Sequence, residues 1–110
     1  MLMAVNVVGG NQIALGTKQY LLVDVIDLAD TVTDLSTHTP KFTIQDDANN
    51  YGYNDQAATA VGMVVYCLVD TTVDPAGAFT WLASTHYRLW VRFTISAEIP
   101  YLGPFDFYVI

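Results

Sequence analysis

Alternation of apolar and polar residues is the dominant pattern along this chain. It is clearest in the segment 87–96, where every second residue is apolar: Tyr87, Leu89, Val91, Phe93 and Ile95. A period of two is typical of a β-strand with one buried face. Arg88, Trp90 and Arg92 occupy intervening positions, so the pattern places them together on the opposite face. The segment predicts a strand whose second face carries both arginines of the chain around one indole.

Further strands are predicted where apolar or β-branched runs end at turn residues. They are Met3–Val8, Lys18–Leu28, Lys41–Asp46, Val61–Thr72, Ala78–Leu82 and Phe105–Ile110. Both faces of the second strand are apolar, which is typical of a strand that is covered on both sides. One face carries Tyr20, Leu22 and Ile26, and the other carries Leu21, Val23 and Val25. In the third strand, Phe42 and Ile44 are predicted to point inwards.

Polar segments separate these strands. Asp27–Pro40 is predicted to be a connection, and Asp46–Thr59 is predicted to be the longest loop. Turns are predicted at Asp74–Gly77 and at Ala97–Gly103, which contains a proline. No segment has a convincing helical period. Seven or eight short strands with regular turn signals predict an all-β chain folded as an antiparallel β-sandwich. A length of 110 residues fits one domain, 1–110, in which 1–15 forms an N-terminal arm or an edge strand.

The surface of this domain is short of charge. Charged residues make up 14% of the chain and hydrophobic residues 53%, whereas a soluble domain typically has about 25% charged residues. The deficit is compatible with a small apolar monomer, but it favours a surface covered by copies of the chain or by partners. The net charge of −7 disfavours nucleic acid, because binding to phosphates needs many lysines and arginines.

The sequence also bears on compartment and membrane contact. Cys67 is the one cysteine, so no intrachain disulfide is expected, which is compatible with synthesis in a reducing compartment. The longest apolar run, Val61–Val69, is much shorter than the roughly 18 residues of a membrane span. The first residues do not have the pattern of a signal peptide, and no membrane association is expected.

No motif indicates catalysis, a metal or a cofactor. The acidic residues Asp24, Asp27, Asp30, Asp34, Asp46 and Asp47 include clustered oxygen ligands that calcium would need, but their spacing fits no EF-hand loop. His38, His86 and Cys67 form no closely spaced ligand pair. Cys67 lies in an apolar strand, where thiols are usually inert, and no serine lies in a nucleophile motif. We therefore expect a chain that is not an enzyme and that needs no cofactor.

Aromatic and arginine side chains are the best candidates for a binding surface. Tyr51 and Tyr53 lie in the predicted polar loop, and Trp90 lies between Arg88 and Arg92. Aromatic residues and arginine are enriched in protein interfaces, and exposed aromatic rings also stack on sugars. Three interpretations of these residues stay open: cover by the protein's own core, a protein interface and a carbohydrate site.

Four segments resemble sequences in tailed-phage virion proteins. Val32–Ser36 (VTDLS) resembles a connection in baseplate and tail proteins, and Phe42–Asp46 resembles the strand that follows it. Thr85, Tyr87, Arg88 and Phe93 resemble positions of a later strand, and Gly103–Ile110 resembles the closing strand. The family is the immunoglobulin-like β-sandwich found at the N-terminus of baseplate upper proteins, and the resemblance extends over residues 16–110.

The resemblance implies a structural role in a phage particle. We expect a non-enzymatic component of the head, neck, tail or baseplate that is made in the host cytoplasm and resides in the virion. Its partners would be other virion proteins. We also expect it to form a homo-oligomer within the particle. The alternative hypothesis is a carbohydrate-binding β-sandwich module.

Overall fold

The computed structural model describes residues 3–8, 12–27, 34–75, 78–94, 99 and 101–110, and this part of the chain is all-β. Its strands are β1 (Met3–Val8), β2 (Gln12–Ile13), β3 (Lys18–Asp27), β4 (Lys41–Gln45), β5 (Tyr51–Ala57), β6 (Thr59–Val61), β7 (Val64–Asp70), β8 (Thr85–Arg92) and β9 (Tyr101–Val109). None of the residues in these ranges is helical, so the absence of helical periodicity in the sequence is matched by the structure.

The strands form two sheets. The four-stranded sheet has the order β1-β3-β7-β6, and the five-stranded sheet has the order β2-β9-β8-β4-β5. Neighbouring strands are antiparallel, except that β2 runs parallel to β9. This is the arrangement of the immunoglobulin sandwich, whose seven main strands correspond here to β1, β3, β4, β6, β7, β8 and β9 in chain order. In that sandwich the first, second, fifth and fourth strands form one sheet, and the third, sixth and seventh form the other. The prediction of an immunoglobulin-like β-sandwich is confirmed.

The core lies between the two sheets and consists of their inward-facing side chains. The alternation read from the sequence is observed in β8, where Tyr87, Leu89 and Val91 are buried. Phe42 and Ile44 of β4 are buried as predicted. Removal of a large apolar side chain from water contributes about 1.5–3 kcal/mol to the free energy of unfolding, so these positions make up much of the favourable term.

The prediction of a loop over Asp46–Thr59 is wrong, because this segment contains β5 and the first residue of β6. β5 is an edge strand that pairs only with β4 among the described strands, so its polar side chains can face water. Its register with β4 shifts between Phe42 and Ile44, and Tyr53 and Asp55 have positive φ angles of 48° and 53°. Such irregular backbone has no regular apolar alternation for sequence analysis to detect.

The prediction of a strand over Ala78–Leu82 is also wrong. The segment is a loop, although Phe79 and Trp81 alternate as they would in a strand. Both rings point into the core, where their centroids lie 5.0 Å apart. The Trp81 backbone N–H donates to Asp74 Oδ1 (3.1 Å), and its Nε1 donates to the Val73 carbonyl (3.0 Å). Two inward-facing rings at alternate positions of a loop thus give the same sequence pattern as a strand, which is why the sequence predicts a strand here.

Other strand bounds differ from the predicted ones by a few residues. The predicted strand Val61–Thr72 is divided by a turn at Gly62, whose φ of 58° suits glycine, into β6 and β7. β8 ends at Arg92, and Ile95 lies outside the described residues. β9 begins at Tyr101, four residues before the predicted start of the last strand.

A buried tyrosine fixes the connection that enters β8. Tyr87 is 1% exposed, and its hydroxyl accepts a hydrogen bond from the Leu82 backbone N–H at 2.9 Å. Immunoglobulin domains have a comparable tyrosine near the start of the sixth strand, two residues before a disulfide cysteine. Here the residue two positions later is Leu89, which is fully buried. The Tyr87 hydroxyl therefore holds the loop before β8 against the sheet, in a domain that lacks the disulfide found near this tyrosine in immunoglobulin domains.

We expect Tyr87→Phe to lower the free energy of unfolding by about 1 kcal/mol, because the Leu82 N–H loses its partner while the ring still fills the core. Urea denaturation measures this loss. Tyr101→Phe is the matched control, since Tyr101 is 56% exposed and should change stability by less than about 0.5 kcal/mol. Equal effects of the two substitutions would contradict the role of the hydroxyl.

Candidate binding surface

The outer face of the five-stranded sheet contains a groove of about 350 Å³. We call it the aromatic groove, and its lining residues are Thr43, Tyr51, Asn54, Trp90 and Tyr101. They come from β4, β5, β8 and β9, which are neighbours in the sheet. The strands therefore bring together two residues chosen from the sequence, Tyr51 and Trp90, with three that the sequence analysis did not select.

Strand register explains why Trp90 lies at the centre of the groove. Trp90 is opposite Thr43 in β4, and on its other side β9 is irregular, with Gly103 and Pro104 opposite the single residue Trp90. Gly103 has a φ of 134°. A Cβ atom at this position would lie 2.7 Å from the Leu89 carbonyl oxygen and 3.3 Å from the indole. Glycine thus allows the backbone of β9 to approach the ring closely.

The two tyrosines of the groove are its exposed rings. Tyr51 is 54% exposed and Tyr101 is 56% exposed, whereas Trp90 is half-buried. The Trp90 Nε1 atom is buried and has no hydrogen-bond partner among the described residues. The indole is therefore partly covered by the protein's own chain, and the tyrosine rings are the part of the groove that a ligand would meet first.

Arg92 holds one wall of the groove in place. Its Nε donates to Asp55 Oδ1 at 2.7 Å, and the side chains of this ion pair are 20% and 37% exposed. The Arg92 guanidinium carbon lies 5.8 Å from the centre of the Tyr101 ring, within the range of a cation–π contact. Arg92 thus connects the edge strand β5 to the exposed ring of Tyr101.

Arg88 lies on the same face but contacts the turn between β4 and β5. Its Nε donates to Gln45 Oε1 at 3.1 Å, and its Nη2 donates to the Asp46 carbonyl at 2.7 Å and to Asn49 Oδ1 at 2.8 Å. Asn49 has a positive φ of 65°, a conformation that asparagine tolerates better than most residues. Arg88 is therefore engaged in positioning this turn.

Tyr53 points away from the aromatic groove and into the gap between the sheets. Its ring packs near Phe42 and Trp81, with centroid distances of 5.5 Å and 6.2 Å. Its hydroxyl donates to the Asp70 carbonyl (3.1 Å) and accepts from the Asp70 N–H (3.0 Å). Burial raises the pKa of Tyr53. The structure thus separates Tyr53 from Tyr51, although they are two residues apart.

The described residues offer no arrangement for a metal ion, since no three His, Cys, Asp or Glu side chains come together there. Asp34 instead accepts from the Ser36 N–H, and this hydrogen bond lowers its pKa. His38 contacts the Thr94 carbonyl at 3.1 Å, and the ring of His86 lies 4.6 Å from that of Tyr108. The side chains of Asp27 and Asp30 lie outside the described part of the structure.

Cys67 is fully buried in β7, and burial raises the pKa of its thiol to about 12. A protonated thiol is a poor nucleophile and a poor metal ligand. The described residues form no helix that is long and apolar enough to cross a membrane.

No protein-family model matches this chain, and no curated protein is similar enough in sequence to be counted as a relative. The fold and the groove define the class: an immunoglobulin-like β-sandwich with an aromatic depression on the outer face of its five-stranded sheet.

We expect Arg88→Met to lower the free energy of unfolding by about 1–2 kcal/mol, because one hydrogen bond to Gln45 of β4 and two to the β4–β5 turn are lost from a partly solvated site. Arg92→Met is the matched control, since it removes an arginine of the same strand face that makes one part-buried hydrogen bond, to Asp55, and it should cost less than about 1 kcal/mol. Chemical denaturation gives both values. A larger effect for Arg92→Met would contradict the assigned role of Arg88.

The buried thiol also predicts a pH dependence of stability. Because the folded pKa of Cys67 is raised from 9.0 to about 12, its contribution is complete below pH 9 and is lost as the pH rises towards 12. Between pH 8 and pH 10 the free energy of unfolding of the wild type should fall by about 1 kcal/mol more than that of Cys67→Ala. Equal slopes for the two proteins in urea denaturation would show that the thiol does not titrate in this way.

Proposed function

We propose that this chain is a non-enzymatic structural component of a tailed-phage particle and that it acts by docking to other virion proteins. The observation that carries the proposal is the aromatic groove, in which Tyr51 and Tyr101 are exposed on either side of Trp90. The resemblance of residues 16–110 to immunoglobulin-like virion domains supports the biological setting, which is the head, neck, tail or baseplate.

The chemistry of the groove suits a protein partner. Tyrosine, tryptophan and arginine are the residues on which binding energy is most often concentrated in protein interfaces. The contact of Arg92 with Tyr101 and the close approach of Gly103 to Trp90 order these two rings before a partner arrives. Rings that are already ordered lose less conformational entropy on binding, which strengthens the complex.

Charge indicates which partner surface would fit. The net charge of −7 favours association with a basic patch, because complementary potentials accelerate encounter and exclude acidic partners. After synthesis in the host cytoplasm, the chain would be incorporated into the virion through such a contact.

A carbohydrate-binding module is the second candidate, and the composition of the groove favours it. Asn54 places an exposed polar side chain beside the exposed rings, whereas Thr43 is buried and its hydroxyl accepts from the Asp55 N–H. A volume of about 350 Å³ lies within the range of about 300–1,000 Å³ that is typical of small-molecule sites. Aromatic faces flanked by hydrogen-bonding groups are what a sugar ring requires.

One pair of variants tests both candidates. In Tyr51→Ala/Tyr101→Ala the two exposed rings of the groove are removed, and we expect affinity for particle proteins to fall by at least about tenfold. Leu82→Ala is the matched control, since it removes an apolar side chain that is 56% exposed outside the groove, and its affinity should stay unchanged. The measurement is binding of the immobilised chain to purified proteins of a dissociated phage particle, with a glycan panel in parallel.

The outcomes separate the two functions. If the wild type binds a glycan but no particle protein, and the double variant loses the glycan, the carbohydrate-binding module would replace the docking proposal. Particle-protein binding that is equally strong in the double variant would exclude the aromatic groove as the docking surface.

A further inference from the structure

The outer face of the four-stranded sheet is a second surface, separate from the aromatic groove. We call the described outward apolar side chains of β3, β6 and β7 the apolar face, and its members are Tyr20, Leu22, Val61, Val64, Tyr66 and Leu68, with the polar Thr59 at its edge beside Tyr66. Strand register places Leu68 opposite Tyr20 and Tyr66 opposite Leu22. Tyr20 and Tyr66 make an edge-to-face contact with centroids 6.0 Å apart. The side chains therefore form one continuous patch.

This patch differs from what an antiparallel sheet normally presents to water. A solvated outer face usually carries polar side chains at the alternate positions. In the five-stranded sheet, β4 follows that rule with Lys41, Thr43 and Gln45 on its outer face, although the aromatic groove interrupts it on the neighbouring strands. On β7 of the four-stranded sheet, in contrast, the outer positions before Asp70 are all uncharged, and on neighbouring strands Tyr20 is 54% exposed and Val61 is 69% exposed. The prediction that β3 is covered on both sides thus fails within the described chain, which leaves the apolar face open.

Among the described side chains of β3, the charges lie at the two ends of the apolar face. Lys18 is at one end, beside Asp70 of β7, and Asp24 is at the other end, beside Val64. The two residues are six positions apart, which corresponds to about 20 Å along an extended strand. If two such faces pack with their β3 strands antiparallel, Lys18 of each copy lies across from Asp24 of the other, and Tyr20 lies across from Leu22. Packing with parallel strands would instead oppose like charges.

The sheet is large enough for a small, weak interface. Its strands β1, β3, β7 and β6 have 6, 10, 7 and 3 residues, and at about 3.3 Å per residue and about 4.8 Å per strand they give a face of about 400 Å² in projection. The accessible area of a corrugated face exceeds its projection, and a standard interface buries about 800 Å² per partner. Within the described residues, the negative charges of this region are confined to the ends of the face, so a chain of net charge −7 can bring two copies together there.

From these observations we propose that the apolar face binds a second copy of this chain, in a two-fold dimer with antiparallel β3 strands. The dimer would consist of four layers of sheet, with the aromatic groove of each copy on the outside. Self-association and docking to a virion partner then use opposite faces of the domain, and they can be tested separately.

Sedimentation equilibrium of the full chain, from micromolar to millimolar concentration, is the test. We expect the wild type to be a dimer and Tyr20→Lys to raise the dissociation constant by at least about tenfold, since a charge would enter the interface. Tyr101→Lys is the control on the opposite sheet and should leave the dissociation constant unchanged. Thermal melting at low concentration checks that each variant is folded.

A charge exchange tests the antiparallel arrangement. Lys18→Asp and Asp24→Lys should each weaken the dimer, and the double variant should restore it, because the two charges then exchange places. A wild type that is monomeric throughout would overturn the proposal and leave the face to a different partner. Dissociation by Tyr101→Lys but not by Tyr20→Lys would place self-association on the other sheet, and failure of the double variant to recover would overturn the arrangement.

Discussion

Aromatic packing between the two sheets is the interaction on which this sandwich depends. The ring of Tyr87 lies 4.8 Å from that of Trp81, 5.4 Å from that of Phe79 and 5.7 Å from that of Phe107. Immunoglobulin domains commonly join their sheets at this level by a disulfide packed on a tryptophan of the third strand. Here the tryptophan comes from the loop before β8, and rings that each bury roughly 150–250 Å² occupy the space between the sheets. The Tyr87 hydroxyl also holds this loop, because it accepts a hydrogen bond from the Leu82 backbone N–H.

The register that builds this core also builds the outer faces. Since successive side chains of a strand point to opposite sides, burial of Leu89 and Val91 places Arg88, Trp90 and Arg92 on one surface. Two irregularities modify that surface. The one in β9 brings Gly103 against the indole, and the one in β5 turns Tyr53 inward while Tyr51 stays outside. The groove therefore forms where the irregular strands β5 and β9 lie on either side of β4 and β8.

The two outer faces have different chemistry. One carries arginines that are engaged by neighbouring polar groups around an aromatic depression, and the other carries an uncharged patch with charges at its ends. A domain with only 14% charged residues cannot surround both faces with charge. This asymmetry is the physical basis for assigning a partner to the first face and a copy of the chain to the second.

The sequence by itself determined the all-β class, the buried faces of β4 and β8, and the grouping of Arg88, Trp90 and Arg92, because each depends on side-chain alternation within one strand. It did not reveal β5, whose polar residues lie at an exposed edge, or the loop position of Phe79 and Trp81, whose spacing imitates a strand. Nor did it reveal Tyr101 as a neighbour of Trp90 and Arg92. Only the tertiary structure decided these points, because pairing between strands that are distant in sequence sets which side chains meet.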